Sequence, residues 1–201
     1  EQPDIIIPDS VTMPRAEVRT TANGVKVYRL DANEFEVVRF TLVFRAGSSM
    51  QHKSFAASAT ANMLGEGSTH LTAQQIAEEL DFYGSYFDVN IDRDYAYISF
   101  CSLKKFFEPT IAVAREIILH PAFPEHEFKI YCSKRKQSLT IERKKVDMQS
   151  RELFSEALFG KEHPYGKSSD ETLYDELTTD DLRHTYRTSK SRAFPIRSRR
   201  A

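Results

Sequence analysis

The chain has 201 residues, 40% of them hydrophobic and 28% charged, with a formal net charge of −1. A balance so close to zero offers no global field to nucleic acid or to an anionic membrane surface, and the length suits one soluble domain with a sizeable core. No apolar run approaches the roughly 18 residues of a spanning helix, and Cys101 and Cys132 are too few and too far apart for a disulfide framework. The expected compartment is the cytoplasm, or the periplasm if a leader has been removed ahead of Glu1.

In chain order, residues 1–20 contain Pro3, Pro8 and Pro14 with little periodicity and read as an extended arm. Asn23-Gly24 is a turn signal, and residues 25–28 alternate as a strand. Residues 37–45 form the clearest strand, with Val38, Phe40, Leu42 and Phe44 on one face and Arg39, Thr41 and Arg45 on the other. Residues 55–64 (FAASATANML) read as a small-residue helix, buried because small side chains permit close approach. Thr72 and Gln75 make a capping box for the next helix. Its inner face is Ile76, Leu80 and Tyr83, and Gly84 supplies its stop.

Residues 86–90 and 95–101 read as two strands around an Asp92-Arg93-Asp94 turn. Pro109 fits the first position of a helix reaching Leu119, with Ile111, Ala114 and Ile118 inward. After the rigid connector 120–124, a long helix begins at Glu125 and carries Phe128, Tyr131, Cys132 and Leu139 at helical spacing. Shorter helices follow over 151–159 and 179–187. This order predicts an α+β fold, a largely antiparallel sheet covered by helices on one face.

Several segments then fall into a known order: Asn23-Gly24-Val25-Lys26-Val27-Tyr28; Ala46-Gly47-Ser48; Gly67-Ser68 before Leu71-Thr72-Ala73; Asp92-Arg93-Asp94-Tyr95; His120-Pro121-Ala122-Phe123 before Glu127-Phe128; Glu156-Ala157-Leu158-Phe159; and His163-Pro164-Tyr165-Gly166. Over residues 21–188 the chain resembles one domain, of the N-terminal-half type, from the pitrilysin/insulinase family of metallopeptidases, which includes the mitochondrial processing peptidases. The resemblance implies a zinc-binding helix bearing His-x-x-Glu-His. It places the two histidines at Ser58 and Asn62, the glutamate at Ala61, and the third ligand, a glutamate on a later helix, near Gln137.

Those substitutions remove the chemistry. A catalytic zinc needs three protein ligands, an open position for water and a carboxylate base beside that water. Serine and asparagine are poor zinc donors, alanine moves no proton, and Lys134-Arg135-Lys136 would repel a dication. The reading is therefore a non-catalytic domain with no cofactor, which pairs with a catalytic homologue or a second copy of the fold, or binds extended peptide. Two alternatives stand beside it: an active zinc metalloendopeptidase whose ligands lie elsewhere, and a purely structural subunit.

Other chemistry is thin. None of the six histidines is paired at i,i+4, and His126 and Cys132 are six residues apart on a helix, pointing to different sides. There is no Walker, G-x-G-x-x-G or G-x-S-x-G motif. The basic residues 134–136 and 143–145 read as a solvated helix face or a docking face. The resemblance implies that Tyr86, Phe87, Asp88, Val89 and Asn90 form the peptide-binding edge strand. The face made by that strand and helix 55–64 is then expected to carry the partner-sized apolar patch, with Phe87→Asp tolerated by the fold. Residues 189–201, basic and broken by Pro195, read as an atypical tail that leaves the sheet one strand short.

Overall fold

The computed structural model of the chain describes residues 14–31, 35–168 and 170–193. They form two compact units that divide after Glu36. The first is a hairpin, in which β1 (Glu17–Thr20) pairs antiparallel with β2 (Lys26–Arg29). The Thr21 hydroxyl accepts from the Val25 N–H at 3.0 Å and closes the turn. The reading of residues 1–20 as an arm is thus corrected at its end. Four exposed residues, Glu17-Val18-Arg19-Thr20, are too short a run to declare a period of two. The rest of the arm, residues 1–13, lies outside the described residues.

The second unit is an antiparallel three-stranded sheet in the order β3 (Val37–Phe44), β5 (Ala96–Leu103), β4 (Tyr86–Ile91). Val37 faces Leu103 and Phe44 faces Ala96 across the β3–β5 ladder; Tyr86 faces Cys101 across β4–β5. Alternation sorts β3 as its sequence predicts: Val38, Phe40, Leu42 and Phe44 are half-buried, and the residues between them are exposed. Helices lie over that one face. They are α1 (Ala56–Asn62), α2 (Ala73–Phe82), α3 (Phe107–Leu119), α4 (Glu125–Glu142) and α6 (Thr179–Ala193), and their inner residues join Ile98 and Phe100 in a single core. This is the α+β arrangement the sequence implies.

α1 sits deepest. Ala56 and Ala59 are wholly buried, so the helix backbone comes close to its neighbours, and the Thr60 hydroxyl reaches the Leu182 carbonyl of α6 at 3.4 Å. The α2 capping box forms as read. Thr72 Oγ1 accepts from Gln75 N–H at 3.2 Å, and Gln75 Oε1 accepts from Thr72 N–H at 2.9 Å. Gly84 ends that helix with a left-handed φ of +57°. α3 departs from its prediction. It begins at Phe107, so Pro109 occupies the third position, still in the first turn where no donor is needed. Its buried stripe is Thr110, Val113, Ala114 and Ile117, with Ile111 and Ile118 only half-buried at its margin. α5 (Val146–Phe159) begins earlier than predicted and buries no residue. α6 continues to Ala193, five residues into the stretch read as tail; the residues beyond, where the absent strand was expected, lie outside the described residues. No helix among the described residues is long and apolar enough to cross a membrane.

The loop leaving β3 lies on the β4–β5 turn. Gly47 N–H donates to Asp94 O at 3.0 Å, Ser48 N–H to Asp92 O at 3.1 Å and Ser49 N–H to Arg93 O at 2.7 Å. A Cβ on Gly47 would stand 2.4 Å from the Arg93 carbonyl carbon and the Asp94 nitrogen, both backbone atoms. Gly47→Ala should therefore cost about 2–4 kcal/mol in urea unfolding. A cost below about 0.5 kcal/mol, ordinary for a surface site, would mean that the turn shifts freely and that this contact does not organise the fold.

Candidate functional site

The resemblance places the reacting groups on α1, and the structure shows what those positions do. Ser58 is half-buried, and its hydroxyl donates to the Phe55 carbonyl at 3.0 Å. Asn62 is exposed and turns its Nδ2 back onto the Ser58 carbonyl at 2.8 Å. Both side chains are engaged with their own helix, as short polar residues at interior helical positions tend to be. Ala61 is buried and, with Phe44, Ile98 and Tyr186, walls an apolar cavity of about 70 Å³.

Gln137 does not join them. It is exposed on α4, whose buried residues are Phe128 and Leu139. The α4 side chain that reaches Ser58 is Tyr131. Six residues at about 100° each separate Tyr131 from Gln137 and carry the latter round to the outer side. The basic run expected beside the third ligand is thereby split: Lys136 pairs with Asp175, and Arg135 lies beside Tyr174.

An aromatic cluster occupies this ground. The Phe55 and Tyr174 rings stack at 4.1 Å with 5° between their planes, and Tyr131 meets Tyr174 edge-on at 6.4 Å. Phe55 caps α1 in the left-handed region, φ 65°, a conformation that costs a bulky residue about 1 kcal/mol or more and persists only when its surroundings enforce it. The stacked Tyr174 ring is the enforcement. The Tyr131 hydroxyl is buried and makes no hydrogen bond of good geometry among the described residues, although it abuts Ser58. Burial, aided by Tyr174, drives this phenol far above its ordinary range, so it stays protonated and supplies neither a base nor an anionic ligand. Burial likewise pushes the Cys132 thiol up to about 11, leaving it unreactive near neutral pH. Among the described residues, no group of three His, Cys, Asp or Glu side chains could hold a metal ion. Sequence reading missed this cluster because Phe55, Tyr131 and Tyr174 have no short spacing in common.

Beside the cluster opens a cleft of about 720 Å³. Ser58, Phe55 and Lys53 line one wall; Arg93 and the Met148–Ser155 side of α5 line another. Its far end is tied down by the His163–Gly166 turn. Tyr165 donates its hydroxyl to the Asp94 carboxylate at 2.6 Å, while Arg93 donates to Ser155 at 2.8 Å and lies over the Tyr165 ring at 5.0 Å. Lys53, Arg93, Arg151 and Lys167 face Glu152, Glu162 and Glu176 around the cleft, so charges of both signs line it.

Among the described residues β4 is an edge strand of the sheet, paired only with β5, and α1 packs next to it. Tyr86 and Asn90 are exposed, while Asp88 and Val89 are half-buried. Phe87 faces inward, its ring 5.0 Å from that of Phe100 and against Gly65. The expectation that Phe87→Asp would spare the fold is therefore corrected: edge position governs the backbone, but strand parity puts this ring in the core. The expected apolar surface is not on α1 either, where five of seven residues are buried.

No family model and no curated protein sequence matches the chain. Solved structures do. The peptidase M16 inactive domain from Pseudomonas fluorescens superposes with a TM-score of 0.79 at 24% identity, over 86% of this chain and 43% of that one. A protease from Helicobacter pylori gives 0.77 at 14% identity, over 90% and 45%. The ferredoxin protease FusC, in a complex with Arabidopsis ferredoxin, gives 0.68 at 16% identity, over 95% and 23%. The chain therefore has the fold of the M16 peptidase domains and spans less than half the length of each of these proteins.

Tyr131 offers a direct probe of this cluster. Tyr131→Phe removes a buried hydroxyl that lacks a good partner while keeping the ring, so stability should hold or rise by up to about 1 kcal/mol in urea unfolding. A loss above that size would show that the contact of this hydroxyl with Ser58 or Tyr174 is a true hydrogen bond.

Proposed function

We propose that this chain is a non-catalytic domain of the M16, or pitrilysin-type, peptidases, one that holds extended polypeptide along β4 and works paired with a catalytic homologue or a second copy of the fold. The observation that supports this most directly is the fate of the three α1 positions. Ser58 and Asn62 turn their polar groups onto their own helix, Ala61 faces an apolar cavity, and Tyr131 arrives from α4 where an acidic ligand is needed. None of these groups donates to zinc as imidazole does or moves a proton at neutral pH. The scaffold meanwhile keeps its edge strand, which can add an incoming strand through main-chain hydrogen bonds, with Tyr86, Asp88 and Asn90 alternating on one face. The likeness to a domain described as inactive, and to a protease crystallised with a protein bound, fits the same reading.

The chemistry and the binding are tested separately. Purified protein should contain no stoichiometric zinc by elemental analysis, take up none in titration calorimetry, and leave fluorogenic peptides uncut. Chelator-sensitive cleavage by a homogeneous sample would instead restore the peptidase reading. Fluorescein-labelled casein, an extended polypeptide, should bind in fluorescence anisotropy, and the exposed substitution Tyr86→Ala should weaken it about fivefold with the melting temperature unchanged. Absence of casein binding would favour a purely structural subunit.

A further inference from the structure

The register of β4 shows which of its backbone groups are free. Ile91 faces Ala96 across the β4–β5 ladder, so Asp92 faces Tyr95 on the next rung, and the Asp92 N–H donates to the Tyr95 carbonyl at 3.0 Å. Opposed residues of an antiparallel pair alternate between rungs that exchange hydrogen bonds and rungs that do not. Asn90, Asp88 and Tyr86 therefore turn their peptide groups toward β5, while those of Ile91, Val89 and Phe87 point away from it. The residue before the strand agrees. Ser85, of the same parity as Phe87, sends its N–H away from β5 to the Leu80 carbonyl of α2 at 2.8 Å. The peptide groups of Phe87, Val89 and Ile91 are thus the ones open to an added strand.

The outward side chains then decide what such a strand can carry. Residues directly opposite on paired strands share a face, with Cβ atoms about 4.5–5.5 Å apart. An added strand therefore sets every second side chain against Tyr86, Asp88 and Asn90. Asp88 is the central one, and its carboxylate has no ion pair or hydrogen bond among the described residues. Ser99, its neighbour on β5, is hydrogen-bonded to Thr41 of β3 at 2.9 Å. Arg39, the cation that β3 places on this face, stands opposite Cys101. It is therefore two strands from β4, about 10 Å away and near the screening length. The Asp92 carboxylate is already taken, by the Asp94 and Tyr95 N–H groups and the Tyr97 hydroxyl. Tyr86 stands beside Asp88 on the same face, 63% exposed, with a ring over which a cation can lie.

We infer that Asp88 selects the peptide held on β4. It favours an extended segment with lysine or arginine at the outward position opposite it, and disfavours one with aspartate or glutamate there, because cross-strand pairs of opposite charge attract and like pairs repel. The selection rests on the β4 reading proposed above and is tested with short fluorescein-labelled peptides in which valine alternates with serine. One carries Lys, one Gln and one Glu at the central serine position, and each is titrated by fluorescence anisotropy at low salt. The Lys peptide should bind about threefold more tightly than the Gln peptide and about tenfold more tightly than the Glu peptide. Asp88→Asn should level the three and Asp88→Lys should invert their order, with melting temperatures unchanged. Added salt should shrink the preference of the unaltered protein. Binding that ignores the central residue, or a preference for Lys that survives Asp88→Asn, would overturn the selection and leave the β4 reading standing. Failure of all three peptides to bind would remove the β4 reading and the selection with it.

Discussion

The arrangement of the second unit depends on the close approach of the Gly47 loop to the β4–β5 turn. Three successive N–H groups, from Gly47, Ser48 and Ser49, are accepted by carbonyls of Asp94, Asp92 and Arg93. The turn is made rigid from within, since the Asp92 carboxylate accepts from the Asp94 and Tyr95 N–H groups at 2.7 and 2.6 Å. Those backbone bonds hold the carboxyl below its usual range. Once placed, the turn offers Arg93 and Asp94 outward, and they capture Ser155 of α5 and Tyr165 of the following turn. Gly166 lets that turn press on the end of α5, where a Cβ would stand 2.2 Å from the Gly160 carbonyl oxygen. Three stretches far apart in sequence, around Gly47, Asp92 and Tyr165, are thus one joint, and the cleft exists because the joint holds its far wall.

The near wall follows a different logic. A metal centre would need polar ligands presented from α1 and α4 and kept oriented by further partners. Here α1 is packed for burial, with alanines at 56, 57, 59 and 61 all under a tenth exposed. The space between α1 and α4 is filled by rings. Phe55 accepts a left-handed backbone to stack on Tyr174, and Tyr131 leaves its hydroxyl without a good partner. Strain and an orphaned polar atom are features often associated with function, but here they surround groups too inert for proton or metal chemistry, which fits a filled site better than an active one.

What the sequence made legible was local. Alternation in residues 37–45, the Thr72–Gln75 capping box and the stop at Gly84 each need only a few consecutive residues, and each is found where it was read. That Ser58, Ala61 and Asn62 share a helix was legible for the same reason, since about one helical turn contains them. Gln137 was not, because a position on an 18-residue helix is fixed only to within a turn by spacing, and one turn covers every direction. Phe87 failed on parity: calling a strand an edge says where its backbone is free, not which way each side chain points. Pro109 shows a softer limit, since the first turn tolerates proline at more than one position. The aromatic cluster joins residues 55, 131 and 174, and no rule of local spacing could have assembled it.

The stability of α5 rests on few contacts. A helix in a protein draws most of its stability from packing an amphipathic face, not from intrinsic propensity. α5 buries nothing, so it is held by the Arg93–Ser155 bond, by the ion pairs of Arg143 with Glu152 and Lys161 with Glu156, and by the turn at Gly166. Ion pairs this exposed contribute about 0–1 kcal/mol each. The wall of the cleft is thus its least secured element and belongs to the low end of local opening free energies.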